Sequence, residues 1–96
     1  MKGYLNNLKR IQQEMTEFLK TLTVEGSAGG GMVKIVMNGD QNVLEVKIEQ
    51  EIIQANDPVM LQDLIRAAFN DAQQKVRSQV RDQLSKRTGI PFDLSF

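Results

Sequence analysis

The sequence predicts an α+β fold with a long N-terminal helix, a three-stranded antiparallel sheet, a short turn and a long C-terminal helix (α-β-β-β-α). Three observations favour this order. The first 22 residues carry a heptad-like apolar repeat, the middle of the chain alternates apolar and polar residues, and apolar residues then recur at mostly four-residue intervals. Helices repeat every 3.6 residues and strands every two, so a change of period marks a change of element. The 96 residues suffice for one small domain, placed at 1–96.

The first helix is predicted over residues 1–22. Its apolar positions are separated by four and three residues in turn: Tyr4, Leu8, Ile11, Met15, Phe18 and Leu22. This spacing is typical of a coiled-coil seam, but it lasts for about two and a half heptads, so an ordinary core-facing helix remains the alternative. In both interpretations the apolar face of the helix must pack against another surface. We therefore predict a homodimer whose interface includes Leu8, Ile11, Met15, Phe18 and Leu22.

The sheet is predicted over residues 21–48, with strands at 21–25, 32–37 and 42–48. The alternation expected of a half-buried sheet places two sets of apolar residues on one face each: Val33, Ile35 and Met37, and Leu44, Val46 and Ile48. The Asn38-Gly39 pair between the second and third strands is a strong hairpin signal.

The glycine-rich stretch GSAGGGMVK, residues 26–34, begins like a phosphate-binding P-loop. A P-loop needs a Lys for the phosphates and a Ser or Thr for Mg²⁺, and those positions hold Met32 and Val33. The loop must also lead into a helix, whereas MVKIVM has the pattern of a strand. We expect a hairpin connection between the first two strands and no nucleotide.

The last helix is predicted over residues 57–87, with residues 88–96 as a tail. Asp57 can cap it, Pro58 suits its first position, and Gly89 and Pro91 end it. A helix of about thirty residues is about 45 Å long, whereas a compact chain of this size has a radius of gyration of about 12–13 Å. The helix should therefore project beyond its own core or lie along a second subunit.

The formal net charge is zero, but the charge is unevenly distributed. Residues 75–87 contain five basic residues and one acid, whereas residues 25–63 contain seven acids and two lysines. Phosphate contacts need well-placed cations, so the C-terminal helix is the candidate DNA-binding surface, with the N-terminal helix beside it. The candidate residues are Lys75, Arg77, Arg81, Lys86, Arg87, Lys2, Lys9 and Arg10.

Other classes of function have little support. The chain contains no His and no Cys, so the serines lack the usual base and transition metals lose their commonest ligands. No catalytic, metal or cofactor residues are predicted, no small-molecule substrate is expected, and we expect the protein not to be an enzyme. No apolar run approaches the length of a membrane span, and the N-terminus lacks an apolar signal region. A cytoplasmic protein is expected.

Two linked motifs resemble the YbaB/EbfC family of bacterial nucleoid-associated proteins. The first is Gly-Gly-x-Val-x-Val-x-x-Asn-Gly, here residues 30–39 with Ile35 for the second Val. The second is LIRAAFNDA, residues 64–72, close to the family's L-V-x-A-A-x-N-D-A. The similarity covers almost the whole chain and departs at the tail, where the family often has a longer Gly/Met/Pro-rich stretch.

The resemblance implies a tweezer-like α+β homodimer that binds double-stranded DNA through projecting helices, with low or variable sequence preference. It also implies a location at the nucleoid and a role in DNA organisation and transcription regulation. The alternative is a dimeric coiled-coil adaptor that binds other proteins and for which the basic helix is a soluble surface.

Overall fold

The computed structural model describes residues 2–89, without the side chains of Lys2 and Thr88. Its elements follow the predicted order: α1 (Lys2–Thr21), β1 (Thr23–Ala28), β2 (Val33–Asn38), β3 (Val43–Ile48), α2 (Gln50–Gln54) and α3 (Pro58–Thr88). The strands form one antiparallel sheet in the order β1-β2-β3. The α+β prediction is thus confirmed, and α2 is the predicted short turn. None of the helices in this part of the chain combines the length and apolar character needed to cross a membrane.

The core lies between α3 and one face of the sheet. The fully buried side chains of β2 are Val33, Ile35 and Met37, as the alternation predicted. They pack against a stripe on α3 formed by Ala68, Ala72 and Val76. The two alanines are small, so the helix backbone comes close to the sheet at the centre of the core.

β1 is shifted from the predicted strand at 21–25: it begins at Thr23, because α1 continues through Thr21, and it extends through Gly26 to Ala28. The glycine-rich stretch is therefore not all loop. A Cβ on Gly26 would lie 2.3 Å from the Ala68 carbonyl oxygen and 2.4 Å from the Ala72 nitrogen. Gly26 is thus the point on β1 where the α3 backbone rests. The actual hairpin connection contains Gly29, Gly30 and Gly31, all with positive φ (64°, 67° and 92°), which glycine adopts without strain.

The Asn38-Gly39 pair correctly predicted a hairpin. The two residues are not, however, the ones that adopt positive φ in the turn. The Asn38 side chain accepts backbone N–H bonds from Asp40 and Asn42, both at 3.0 Å. The positive φ of the turn, 64°, belongs to Gln41. Gly39 instead gives room to α1, since a Cβ there would lie 2.5 Å from the Leu19 carbonyl oxygen.

β3 departs from the predicted pattern near the turn. Val46 and Ile48 lie opposite Ile35 and Val33, but a register shift then places Val43, not Leu44, opposite Met37. Leu44 is the extra residue of this bulge, which explains why it does not continue the alternation. The prediction that Leu44 shares the face of Val46 and Ile48 was therefore wrong in register.

α3 begins and ends as predicted. The Asp57 side chain accepts the Met60 N–H at 3.1 Å, Pro58 occupies the first turn, and Gly89 ends the helix with φ 71°. The helix has 31 residues, so it is about 46 Å long. Val76 and Val80 still pack with the core, so only the last turns of α3, after Val80, extend beyond it. The radius of gyration is 17.5 Å with a longest extent of 63 Å. The predicted tail from residue 90 onward lies outside the described residues.

α1 joins the rest of the chain at its C-terminal turn. The Gly39 N–H donates to the carbonyl oxygens of Leu19 and Leu22, at 3.2 and 3.1 Å. Farther along, the Arg87 guanidinium donates to the Glu14 carboxylate. These contacts bring the end of α3 beside the middle of α1, so the two helices run antiparallel and the first turns of α1 extend past the end of α3.

Candidate nucleic-acid interface

The five cations predicted on α3 point in three directions. Arg77 and Arg81 are four residues apart and share one face of the helix. Lys75 and Lys86 are eleven residues apart, about three turns, and share another face. Arg87 faces α1, where it meets Glu14. The helix therefore does not present all five charges to one surface.

Lys75 lies against β1. Its Nζ is 3.1 Å from Asp71 Oδ2 and donates to the Glu25 carbonyl oxygen at 2.8 Å. Asp71 Oδ2 also accepts the Ser27 backbone N–H at 3.0 Å. The hydrogen bond from Ser27, followed by that from Lys75, lowers the pKa of Asp71 because both stabilise the carboxylate. Lys75 thus has a role in the fold, although its side chain is 48% exposed.

Arg87 and Arg10 share one carboxylate. Arg87 pairs with Glu14 and is 28% exposed, while Arg10 Nε lies 4.0 Å from the same carboxyl group and is 68% exposed. An open groove of about 390 Å³ lies beside the Arg87–Glu14 pair, and Phe18 lines it. The pair therefore joins the two helices, and Arg10 faces solvent on the outer side of α1.

Five of the predicted residues lie exposed on the two long helices: Lys9, Arg10, Lys75, Arg81 and Lys86. Of these, Lys75 is already bound to β1. Arg77 is half-buried, and the side chain of Lys2 is outside the described residues. Arg81 is 47% exposed and interacts with its neighbours Asp82, at 3.7 Å, and Ser78, at 3.2 Å. These are local contacts along one helix, so Arg81 can exchange them for a ligand at small cost.

The sequence analysis did not name two residues that the geometry singles out. Lys20 is exposed, and it lies eleven residues after Lys9, on the same face of α1. Asp71 accepts the Ser27 N–H of β1, 44 residues away in sequence, and also pairs with Lys75 one turn along α3. The spacing of Lys9 and Lys20 could have indicated the first, but no local pattern indicates the second.

The comparison with protein families agrees with these features. The model of the YbaB/EbfC DNA-binding family matches residues 1–90. The chain belongs to the YbaB/EbfC family. It is 44% identical over 104 aligned positions to nucleoid-associated protein GK0018 of Geobacillus kaustophilus, covering 95% of this chain and 96% of that protein. It is 41% identical over 93 positions to nucleoid-associated protein EAT1b_1710 of Exiguobacterium sp., covering 90% and 89%.

A solved structure has the same fold. The crystal structure of uncharacterized protein HP0035 from Helicobacter pylori superimposes with a TM-score of 0.74 at 24% identity, covering 93% of this chain and 92% of that one. The predicted fold is thereby confirmed, and the membership indicated by the two motifs is confirmed by the family match over residues 1–90.

The two motifs that indicated the YbaB/EbfC family have structural roles in this chain. The first covers β2 and the turn at which Gly39 receives α1. The second contains Ala68 and Ala72, which touch Gly26, and Asp71, which binds β1. Both motifs thus hold the long helices to the sheet, and the candidate phosphate contacts lie outside them.

The seam predicted on α1 is divided. Its C-terminal members are half-buried: Ile11, Met15, Phe18 and Leu22. Towards the N-terminus, Tyr4 is 70%, Leu5 58% and Leu8 48% exposed. Side chains of this size and exposure form an apolar surface at the free end of α1.

Proposed function

We propose that this YbaB/EbfC protein binds double-stranded DNA as a homodimer, mainly through phosphate contacts with low or variable sequence preference. It would act in the cytoplasm at the nucleoid and contribute to nucleoid organisation and transcription regulation. The observation that carries the proposal is the match to a DNA-binding family over residues 1–90. The relatives named nucleoid-associated proteins support the location.

The placement of charge supports binding by the helices. The protein has no net charge, so affinity for a polyanion depends on where its cations lie. Lys9 and Arg10 are exposed on α1, and Arg81 and Lys86 are exposed on the last turns of α3, after Val80. A homodimer carries each of them twice, so modest phosphate contacts add to a useful affinity.

The first prediction concerns Arg77 and Arg81. Replacing both with Ala should weaken binding to unrelated duplexes equally, because backbone contacts carry no sequence information. Each phosphate contact contributes about −0.9 to the slope of log affinity against log salt, so the loss of up to four contacts in a dimer should reduce that slope by up to about 3.6. Fluorescence anisotropy with two unrelated duplexes at several salt concentrations measures both quantities.

The matched control replaces Gln74 and Gln79, which are exposed and uncharged on the same helix, with Ala. It should leave affinity and slope unchanged. Circular dichroism melts should show that both variants are folded, since the exposed charge of Arg81 contributes little to stability and Arg77 is only half-buried. A folded arginine variant with full affinity and an unchanged slope would contradict this assignment and direct attention to Lys9, Arg10 and Lys20.

The exposed apolar end of α1 favours a second candidate, an adaptor that binds other proteins. Tyr4, Leu5 and Leu8 would be its contact surface, and the cations would serve only solubility. The same titration separates the two functions. An adaptor should show no saturable duplex binding even at low salt, where phosphate contacts are strongest.

A further inference from the structure

Two arginines from different helices meet at one carboxylate. Arg87, in the last turn of α3, donates to Oε2 of Glu14, and Nε of Arg10 lies 4.0 Å from Oε1 of the same group. Each carboxylate oxygen thus faces a guanidinium of its own. Arg10 and Glu14 are one turn apart on α1, whereas Arg87 is 73 residues from Glu14 in sequence. Only the fold brings the three charges together.

The arrangement of these three side chains is that of an anion site. Guanidinium groups bind carboxylates and phosphates through the same fork of N–H donors. A phosphate group therefore suits a place where two arginines converge on a carboxylate. The Nε of Arg87 is buried and has no hydrogen-bond partner within residues 2–89. Glu14 thus leaves part of the donor capacity of Arg87 unused.

An anion from solution can reach this cluster. An open groove of about 390 Å³ lies beside the Arg87–Glu14 pair. The side chains are 28% exposed for Arg87, 41% for Glu14 and 68% for Arg10. Ion pairs with this much exposure are weak, because water and salt screen them. A phosphate can therefore displace the Glu14 carboxylate at small cost.

The cluster lies among the cations of the candidate DNA-binding surface. Each arginine has an exposed lysine as its neighbour in sequence, Lys9 beside Arg10 and Lys86 beside Arg87. Glu14 is thus an acid that faces a group of cations from two helices. Its charge opposes the attraction that these cations exert on a polyanion.

We propose that the position of the Glu14 carboxylate is a phosphate site of the DNA-binding surface, and that Glu14 occupies this site in the free protein. Glu14 competes with a DNA phosphate for Arg87 and Arg10, so it lowers the affinity for DNA. The inference rests on the proposed binding of duplex DNA and adds to it a residue that limits the affinity.

Glu14→Gln removes the competing charge and keeps the length of the side chain. Duplex binding, measured by fluorescence anisotropy, should become about tenfold tighter, because one competing ion pair is lost in each protomer of the dimer. The slope of log affinity against log salt should steepen by up to about 1.8, since up to two more phosphates are neutralised at about 0.9 each.

Glu17→Gln is the matched control. Glu17 lines the same groove one turn along α1, and it forms no ion pair among the described residues. Its replacement changes the net charge equally and frees no arginine, so it should give a small gain and leave the slope unchanged. Equal gains for the two variants would overturn the proposal. Weaker binding by Glu14→Gln would also overturn it, because the pair would then only hold the helices together.

Glu14→Asp tests the same point without a change in net charge. The carboxylate is one methylene shorter and recedes from Arg87, so affinity should rise by a smaller factor, about threefold. Circular dichroism melts at the same protein concentration show whether each variant is folded. Wild-type affinity in a folded Glu14→Asp variant would overturn the competition.

A double-mutant cycle tests the part of Arg87. In a chain that carries Arg87→Gln, the further change Glu14→Gln should give no more than the gain of the Glu17→Gln control, because the arginine to be freed is absent. The full gain in that background would show that Arg87 does not belong to the phosphate site.

Inorganic phosphate distinguishes the source of the bound group. Replacing chloride by millimolar phosphate at constant ionic strength should leave the gain of Glu14→Gln intact, because a DNA phosphate is the expected occupant. Loss of the gain would mean that a free phosphate ion takes the site, which overturns DNA as its occupant.

The same titrations separate this inference from the proposed function. A wild-type protein that binds duplexes, with equal gains for Glu14→Gln and Glu17→Gln, retains the function and rejects the inference. Duplex binding by Glu14→Gln but not by wild type supports the inference in its strongest form. Absence of duplex binding by both rejects the inference together with the function.

Discussion

β1 and β3 flank the same central strand, yet α3 covers β1 and leaves much of β3 open. On β1, Gly26 touches the helix backbone, and Asp71 and Lys75 satisfy the outward backbone groups. On β3, Val43 and Val46 remain 42% and 47% exposed. The comparison shows that a single helix covers one edge strand of this three-stranded sheet. The other edge strand stays partly exposed to solvent unless something else covers it.

The largest loss of stability is expected at β1, the strand that α3 covers. Gly26→Ala would place a Cβ 2.3 Å from the Ala68 carbonyl oxygen, a backbone atom that cannot rotate away. We expect α3 to be displaced and the free energy of unfolding to fall by about 3 kcal/mol or more. Urea unfolding at fixed protein concentration measures the change. Gly3→Ala, where nothing lies within 4 Å of the added methyl, is the control and should be neutral or stabilising.

An intermediate loss of stability is expected when the side-chain hydrogen bonds from α3 to the backbone of β1 are removed. Asp71→Ala removes the acceptor of the Ser27 N–H and the partner of Lys75, and should lower the free energy of unfolding by about 1 kcal/mol. Asp63→Ala is the matched control, because its carboxylate contacts Arg66 one turn away on an exposed face. It should cost less than about 0.5 kcal/mol.

The pH dependence of stability distinguishes a contribution from the Asp71 carboxylate charge from a contribution by side-chain packing alone. The folded-state pKa of Asp71 lies below its ordinary value of 3.8. Its contribution is therefore fully present above about pH 4 and is lost as the pH falls through the lower, folded-state pKa. The difference between wild type and Asp71→Ala should shrink in that acidic range. A difference that stayed constant down to pH 2 would show that the carboxylate charge is not involved.

The smallest loss of stability is expected at β3, the edge strand that α3 leaves partly exposed. Val43→Ala removes two methyl groups opposite the buried Met37, but the valine is already 42% exposed. The cost should stay below about 1 kcal/mol, since only part of the side chain is removed from water. Comparison with Val33→Ala, which truncates a fully buried valine on β2, calibrates the value. Equal losses at the two positions would mean that β3 is as well covered as β2.

Local chemistry made most of the fold predictable. Asp57, Pro58 and Gly89 determine the ends of α3 through caps that depend on a few adjacent residues. The alternation in β2 correctly gave its buried face. The Leu44 register failed because a bulge depends on how two strands meet, which the pattern of one strand does not contain.

The candidate interface was less predictable, for a related reason. Charge counting finds cations but not their partners. Lys75 binds Glu25, 50 residues away, and Arg87 binds Glu14, 73 residues away, so neither use is visible in a local window. Gly26 was grouped with the loop glycines because only the approach of α3 distinguishes it from them. Which of the eight cations contact DNA stays a prediction.

α1 is attached to the sheet near its C-terminal end, at Gly39, so a small change in its direction there is a large displacement at its N-terminal end. Leu19, which bonds the Gly39 N–H, lies 16 residues from Gly3, a distance of about 24 Å along the helix. A tilt of α1 by about 10° at this attachment would therefore move its far end by about 4 Å, on the order of the axial rise of about 3.4 Å per phosphate of one DNA strand. The turn that contains Gly39 and the Arg87–Glu14 pair would together set the direction of α1. Substitutions in that turn can change this direction while every residue of α1 stays the same.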